Sequence, residues 1–395
     1  MKIRYLIMHA YGTGGTIRTV FTQASAMVQA GHEVEVVSVL RRVDEPRFPY
    51  DPRVKVWALT DQRDGGAKQP LPRGPIARRR ARRSAELTGQ PPQHIPEGEF
   101  GHSNFDRRIE VETIDWLREL KDGILVTTRP ALNILAALFA TEGVIRVAQE
   151  HMNLYTHRKD VRAAIAELYP RCEAVAVLTH RDREDYEAFA PGARVVRVPN
   201  AVHTLKQKMS TCSSRIAVAA GRFRGQKGFD MLIPAWAKAV EEHPDWQLRI
   251  FGSGERRAQL RGLIDEYHMY NHIFLMGLTD KLDDELAKAS MYVLSSRFEG
   301  LPMVMIEAMS HALPVVSFDC PTGPADVLTD GKDGLLVPAE DIDGLARAMS
   351  RLMADEGLRA EMGDAALMTV QSYSPEAIRD QWSELFEELL EERGR

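Results

Sequence analysis

The stretch Met291-Tyr292-Val293-Leu294-Ser295-Ser296-Arg297-Phe298-Glu299-Gly300-Leu301-Pro302, followed by Glu307-Ala308-Met309, decides how this chain is read. Met291–Leu294 is a short apolar run that predicts a buried strand. Pro302 suits the first turn of a helix, and the pattern predicts that helix over Met303–Ser310. Glu299 and Glu307 are separated by seven residues and flank the strand-to-helix junction. A helix start just beyond a strand end favours anions, because its backbone N–H groups have no partner within the helix. In open α/β sheets such crevices hold ligands. Carboxylates accept hydrogen bonds from sugar hydroxyls. The combination suits a phosphorylated sugar.

Working outward, strand and helix signals alternate in both halves, which implies parallel βαβ units. In the first half strands are predicted at Ile3–Met8, Val34–Leu40, Ile124–Thr127, Val144–Ala148, Ala174–Leu178 and Val195–Val198. Helices are predicted at Gly14–Ala30, Arg107–Leu120, Ala131–Ala140 and Arg158–Tyr169. The second half repeats the style, with strands at Ile216–Ala220, Gln247–Phe251, Ile273–Met276, Tyr292–Leu294, Pro314–Phe318 and Gly334–Val337. Helices there are predicted at Phe229–Glu242, Arg256–Tyr267, Leu282–Lys288 and Ile342–Met353. The polar stretch Leu205–Ser214 lacks periodicity and reads as a linker. Residues 61–105 are rich in Gly, Pro and Arg and read as a long loop with one short helix. In the tail, Ile378, Trp382, Leu385, Phe386 and Leu389 share one helical face.

Composition narrows the class. A chain of 395 residues favours two domains. With 44% hydrophobic and 27% charged residues it is an ordinary globular sequence, and a net charge of −5 argues against nucleic-acid binding. No apolar run reaches bilayer length. The apolar start Met1–Met8 is too short for a signal peptide and runs at once into His9 and Tyr11-Gly12-Thr13. The cysteines, Cys172, Cys212 and Cys320, are odd in number and form no Cys-x-x-Cys pair. That pattern fits reduced thiols in a cytoplasmic protein and points to no metal site.

The Glu-x7-Glu segment resembles that of the retaining glycosyltransferases of family four, the bacterial group 1 enzymes of GT-B fold. Gly221-Arg222-Phe223 with Lys227-Gly228, Phe251-Gly252-Ser253-Gly254-Glu255, and Phe318-Asp319-Cys320-Pro321-Thr322-Gly323-Pro324 are similar to further segments of that family. Gly14-Gly15-Thr16, Glu150-His151 and Pro199-Asn200 follow the expected order in the first half. The resemblance implies two doubly wound Rossmann-like domains facing a central cleft. Residues 1–202 would bind the acceptor, with a final helix at 374–395 packing back on them. Residues 203–373 would bind the donor.

It also implies roles. Arg222 and Lys227 would clamp the donor diphosphate, a task that cations at a strand end can perform. Glu299 would meet the transferred sugar and Glu307 the nucleotide ribose. Gly15, Gly221, Gly252, Gly254, Gly300 and Leu301 would line the donor, and Gly14, Thr16 and Asn153 the acceptor. His151 would contact the donor sugar or the acceptor hydroxyl. Each has a plainer alternative: surface cations at Arg222 and Lys227, a helix-surface glutamate at Glu307, a structural histidine at His151, a tight turn at Gly14-Gly15.

The expected reaction moves a hexose from a nucleotide-sugar, with UDP the preferred carrier and GDP the alternative, to an acceptor hydroxyl with retained configuration. No cofactor and no essential metal are expected, because no Asp-x-Asp ends a strand where it would hold one. The other activities weighed are an epimerase or phosphorylase on the same fold, and a non-catalytic binding protein. The arginines between Arg73 and Arg83 suit an anionic acceptor or peripheral contact with a membrane surface, against the alternative of a solvated loop. They lack interleaved aromatics, which argues against single-stranded nucleic acid.

Overall fold

The computed structural model describes residues 1–63, 86–203, 205 and 207–394. The arginine cluster Arg73–Arg83 lies outside the described residues. The chain divides into two compact units, one of Met1–His203 with Ile378–Arg395, the other of Thr204–Ala377.

The first unit is built on a seven-stranded parallel sheet of order β3-β2-β1-β4-β5-β6-β7. Its strands are β1 (Lys2–Ile7), β2 (Glu33–Arg41), β3 (Lys55–Asp61), β4 (Ile124–Thr127), β5 (Ile145–Gln149), β6 (Ala174–Val177) and β7 (Val195–Arg197). Its helices are α1 (Gly15–Gln29), α2 (Arg107–Glu119), α3 (Pro130–Phe139), α4 (Lys159–Leu168) and α5 (His180–Phe189). Strands such as β4 and β6 are buried throughout, because helices cover both faces of a parallel sheet. Ile3, Tyr5 and Ile7 of β1 pack with α1, while Leu6 packs with α3, so the two helices lie on opposite faces.

The second unit holds a six-stranded sheet of order β10-β9-β8-β11-β12-β13, again parallel. Its strands are β8 (Ile216–Ala220), β9 (Gln247–Phe251), β10 (Ile273–Gly277), β11 (Met291–Leu294), β12 (Val315–Asp319) and β13 (Gly334–Pro338). Its helices are α6 (Phe229–Val240), α7 (Arg257–Glu266), α8 (Leu282–Leu286), α9 (Met303–Met309), α10 (Pro324–Val327), α11 (Ile342–Ala354) and α12 (Glu356–Val370). In each sheet the strand order reverses once, between β1 and β4 and between β8 and β11. Those two switch points are where this topology opens a crevice beyond the strand ends.

The last helix, α13 (Pro375–Gly394), buries Ile378, Trp382, Leu385, Phe386 and Leu389 in the core beneath β1, β4 and α1.

Several elements depart from the pattern reading. β3 is an edge strand whose alternation fails at Ala58-Leu59. α5 is so rich in charge that Tyr186 is its one buried aromatic residue, and its start is set by Thr179, which accepts from the Asp182 backbone N–H at 2.9 Å. α12 is capped in the same way by Asp355. The expected linker is instead tied into the second unit: Ser210 N–H donates to the His311 carbonyl, Cys212 Sγ to the Ala312 carbonyl, and Arg359 Nε to the Cys212 carbonyl. Polar residues that bond to backbone leave no periodic signal. All three cysteines are free and buried.

Trp382 is 1% exposed and its ring lies 5.4 Å from that of Phe386. Trp382→Ala should therefore destabilise the first unit by about 3–5 kcal/mol, the usual cost of emptying such a site. Urea unfolding followed in the two units separately will check this, with the second unit's transition expected to stay in place.

Candidate active site

The second unit's switch point is assembled by backbone meeting backbone. β8 runs into Gly221-Arg222-Phe223-Arg224, a single 3-10 turn at Gly225–Lys227, and Gly228. Gly228 has φ +61°, and a Cβ built there would lie 1.9 Å from the Ser295 carbonyl oxygen. A Cβ at Gly252 would lie 1.8 Å from the Gly221 carbonyl oxygen. Only glycine fits either place. At Gly221 a Cβ would meet the Lys227 side chain at 2.9 Å, so the lysine stem lies across the bare glycine.

That approach delivers Lys227 to the end of β11. Its Nζ donates to Glu299 Oε1 at 2.6 Å, and Ser296 Oγ donates to the same oxygen at 2.5 Å. Among the described residues, both groups that bond to the Glu299 side chain therefore use one carboxylate oxygen. The loop is laced to the strand end by further bonds. Arg297 N–H donates to the Gln226 carbonyl, Ser295 Oγ to the Lys227 carbonyl, and Gln226 Nε2 to the Phe298 carbonyl. Arg297 also forms a two-point ion pair with Asp230 in the first turn of α6, which holds that carboxyl below its usual range. Thr322 Oγ1 donates to the Glu299 carbonyl, and a Cβ at Gly323 would strike the Gly300 carbonyl oxygen at 2.3 Å.

Glu307, on α9, is buried. Tyr292 shows that it shares the neighbourhood of Glu299. The Tyr292 hydroxyl donates to the Ala220 carbonyl at 3.3 Å, and its pKa is pushed up by burial and then by the charges of Glu299 and Glu307. Cys320 is pushed up to about 12 by burial and then by Glu299. It is an inert thiol at neutral pH.

The two expected clamp cations differ. Lys227 is paired and mostly covered, whereas Arg222 is exposed and has no ion-pair partner among the described residues. Gly300 and Leu301 donate their backbone N–H groups to no other described residue. Ser296 and Tyr292 were not singled out by sequence reasoning. Their roles arise from contacts with Glu299 and with β8, which spacing along the chain does not display.

The remaining candidates lie in the first unit. Gly14, Gly15 and Thr16 form the start of α1, where a Cβ on either glycine would meet nothing within 4 Å. Asn153 donates its amide to Asp182 at 2.9 Å. His151 follows Glu150, a buried carboxylate that accepts from Asn133 Nδ2 at 2.7 Å and from the Tyr169 hydroxyl. Thr127 Oγ1 in turn donates to Asn133 Oδ1 at 2.6 Å. This network holds the backbone that presents His151. Both His151 ring nitrogens are enclosed and have no hydrogen-bond partner among the described residues. A neutral imidazole in that setting can donate from one nitrogen and accept at the other.

Residues 206–368 match the family described as glycosyl transferases group 1. The structure of a Staphylococcus aureus TarM mutant in complex with Fondaparinux, alpha-GlcNAc-glycerol and UDP superposes with a TM-score of 0.75 at 17% identity, over 98% of this chain and 100% of that one. The fold is that of the GT-B glycosyltransferases, two parallel-sheet Rossmann-like units.

Among sequence relatives, the chain is 35% identical over 401 residues to an exopolysaccharide phosphotransferase of Streptomyces coelicolor, and 29% identical over 276 residues to the amylovoran biosynthesis glycosyltransferase AmsD of Erwinia amylovora. The first match takes in all of this chain but 41% of the relative, so the chain spans about two fifths of that protein's length. The second takes in 67% of this chain and 77% of the relative. Among the described residues no helix is long and apolar enough to cross a membrane.

Burial pushes the His151 imidazole from 6.5 down to about 4, opposed in part by Glu150. Between those values the unfolded chain binds the proton and the folded chain does not. This group's contribution to stability is present above pH 6.5 and lost as pH falls to about 4. NMR of the ring should give a midpoint near 4, and a midpoint between 6 and 7 would mean that the ring is open to water.

Proposed function

We propose that the chain transfers a hexose from a nucleoside diphosphate sugar, with UDP the preferred carrier, to a hydroxyl of a cell-envelope polymer or glycoside, with retention of anomeric configuration. The observation that carries this reading is the second switch point. It joins Arg222, which has no ion-pair partner among the described residues, a lysine fixed on Glu299, and a buried Glu307 within a segment of group 1 glycosyltransferase type. The named functions of the AmsD relative and of other relatives, such as the poly(glycerol-phosphate) alpha-glucosyltransferase of Bacillus subtilis, support the cell-envelope acceptor.

In this reading the diphosphate lies along Gly221–Gly225, and Arg222 meets its charge. Lys227 adds a second cation whose position Glu299 sets. The Glu299 oxygen not used by Lys227 and Ser296 accepts from a hydroxyl of the transferred sugar. Glu307 accepts from the ribose hydroxyls, and the open N–H groups of Gly300 and Leu301 face the donor. As the bond from the anomeric carbon to the diphosphate breaks, negative charge grows on the leaving oxygen. Pre-placed cations stabilise that charge most strongly in the transition state. The same oxygen takes the proton of the acceptor hydroxyl attacking on its own face, which gives retention without a covalent intermediate. His151, neutral, orients the sugar or the acceptor. The cations do the work that a divalent ion does elsewhere, so none is required.

The Streptomyces relative favours one second reading, phosphotransfer. The acceptor would then attack phosphorus and release a nucleoside monophosphate, with the sugar phosphate passed on intact.

One assay separates these readings: release of nucleotide from a panel of UDP-, GDP- and ADP-sugars, with chelator present. Slow release of UDP is expected, unchanged by the chelator and abolished in Glu307→Ala. Arg222→Ala should lower kcat by roughly 100-fold, the loss typical of removing one charge-stabilising donor. Release of UMP would establish phosphotransfer, and no nucleotide binding at all would return the chain to the non-catalytic class.

A further inference from the structure

The first unit has its own switch point, and its rim is cationic. The C-terminal ends of β2, β1 and β4, neighbours in the sheet, lead into Arg41-Arg42, His9 and Arg129. Four arginines gather there, and their partners differ. Arg129 is held by Glu99 through two N–H groups, at 2.8 and 2.6 Å. Arg63, just past β3, is held by Asp61 and Asp44. Arg41 stacks over the Tyr11 ring at 4.8 Å and donates to the carbonyls of Val43 and Asp44. Arg42 is exposed and donates to the neutral side chains of Gln62 at 3.2 Å and Asn104 at 3.4 Å. Neither Arg41 nor Arg42 has a carboxylate within ion-pair distance among the described residues. Asp44, Asp61 and Glu99 are bound to the other two arginines, and Asp61 also interacts electrostatically with Arg41.

Two further features add to that surplus. His9 is hydrogen-bonded to Asn104, and burial followed by Arg42 keeps its pKa below the ordinary value. Beside it, α1 begins at Gly14 without a side-chain cap and without an acidic residue in its first turn. By contrast Asp106 caps α2 and Thr179 caps α5. An uncapped helix of 15 residues and guanidinium groups with no carboxylate at ion-pair distance among the described residues are complementary to a tetrahedral anion.

We propose that this rim binds a phosphate group carried by the acceptor, so that the acceptor is a polyol or sugar phosphate and not a neutral glycan. The assignment to an acceptor rests on the glycosyltransferase reading above; the phosphate site itself stands on the first unit alone.

The test uses the full chain with UDP in excess and follows binding of glycerol 1-phosphate, and of glycerol, by calorimetry. Glycerol 1-phosphate should bind and weaken as salt is raised, and glycerol should not bind. Arg42→Gln should weaken binding about tenfold, the loss expected for one charge-assisted contact, with no change in thermal midpoint. Arg42→Lys should recover part of it. Arg215→Gln, a surface change in the second unit, should have no effect.

Equal binding of glycerol, or unchanged binding in Arg42→Gln, would overturn the proposal. So would capture by phosphatidylglycerol vesicles with no binding of the soluble phosphate. If UDP fails to bind but glycerol 1-phosphate binds through Arg42, the phosphate site stands and the donor reading falls.

Discussion

Close contact between backbone segments is the constraint on which the second unit's site depends. Three glycines carry it: Gly252 against Gly221, Gly228 against Ser295, and Gly323 against Gly300. Each contact leaves no room for a single added carbon. Together they bring the turns after β8, β9, β11 and β12 onto one another at the C-terminal rim of the sheet. Side-chain chemistry follows from that geometry. Lys227 reaches Glu299 because Gly221 offers nothing to push the lysine aside, and Arg297 reaches Asp230 because the turn before α6 is held flat against β11. Move one of these backbones outward and several polar contacts would separate together.

Charges at the two switch points are arranged in a common way. Each rim carries a cation locked to a buried carboxylate, Lys227 on Glu299 and Arg129 on Glu99, and an arginine with no carboxylate at ion-pair distance among the described residues, Arg222 at one and Arg42, beside Arg41, at the other. The locked pairs fix geometry, since breaking a covered pair would leave an uncompensated charge. The free cations cost little while solvated and keep their full charge for a ligand. His151 differs from both, because burial keeps it neutral and its buried neighbour Glu150 is satisfied by Asn133 and Tyr169.

How much of this was legible in the sequence depends on the kind of signal. Strands such as Ile216–Ala220 and Gln247–Phe251 stood out because a strand covered on both faces needs an unbroken run of apolar residues. Edge strand β3 and the charged helix α5 hid because each buries little. The resemblance to group 1 glycosyltransferase motifs brings Gly221, Lys227, Glu299 and Glu307 forward as a group. What spacing could not display is that Lys227 and Glu299, 72 positions apart, are partners in the fold. Nor could it show that Ser296 shares the same oxygen, or that Arg222 is left open. Those facts depend on where backbones pack, and the polar stretch near Ser210 escaped for the same reason.

The first unit is interrupted in the chain. Its path leaves at His203 and resumes at Ile378, and α13 then supplies Trp382, Phe386 and Leu389 to a core whose other members were made hundreds of residues earlier. During synthesis, the second unit can therefore close its own core first. The earlier-made unit lacks the apolar side chains that α13 packs against β1 and α1 until that helix has been made. Order of translation and order of completion are thus opposite, and for that interval the N-terminal sheet is the part of the molecule that chaperones would recognise.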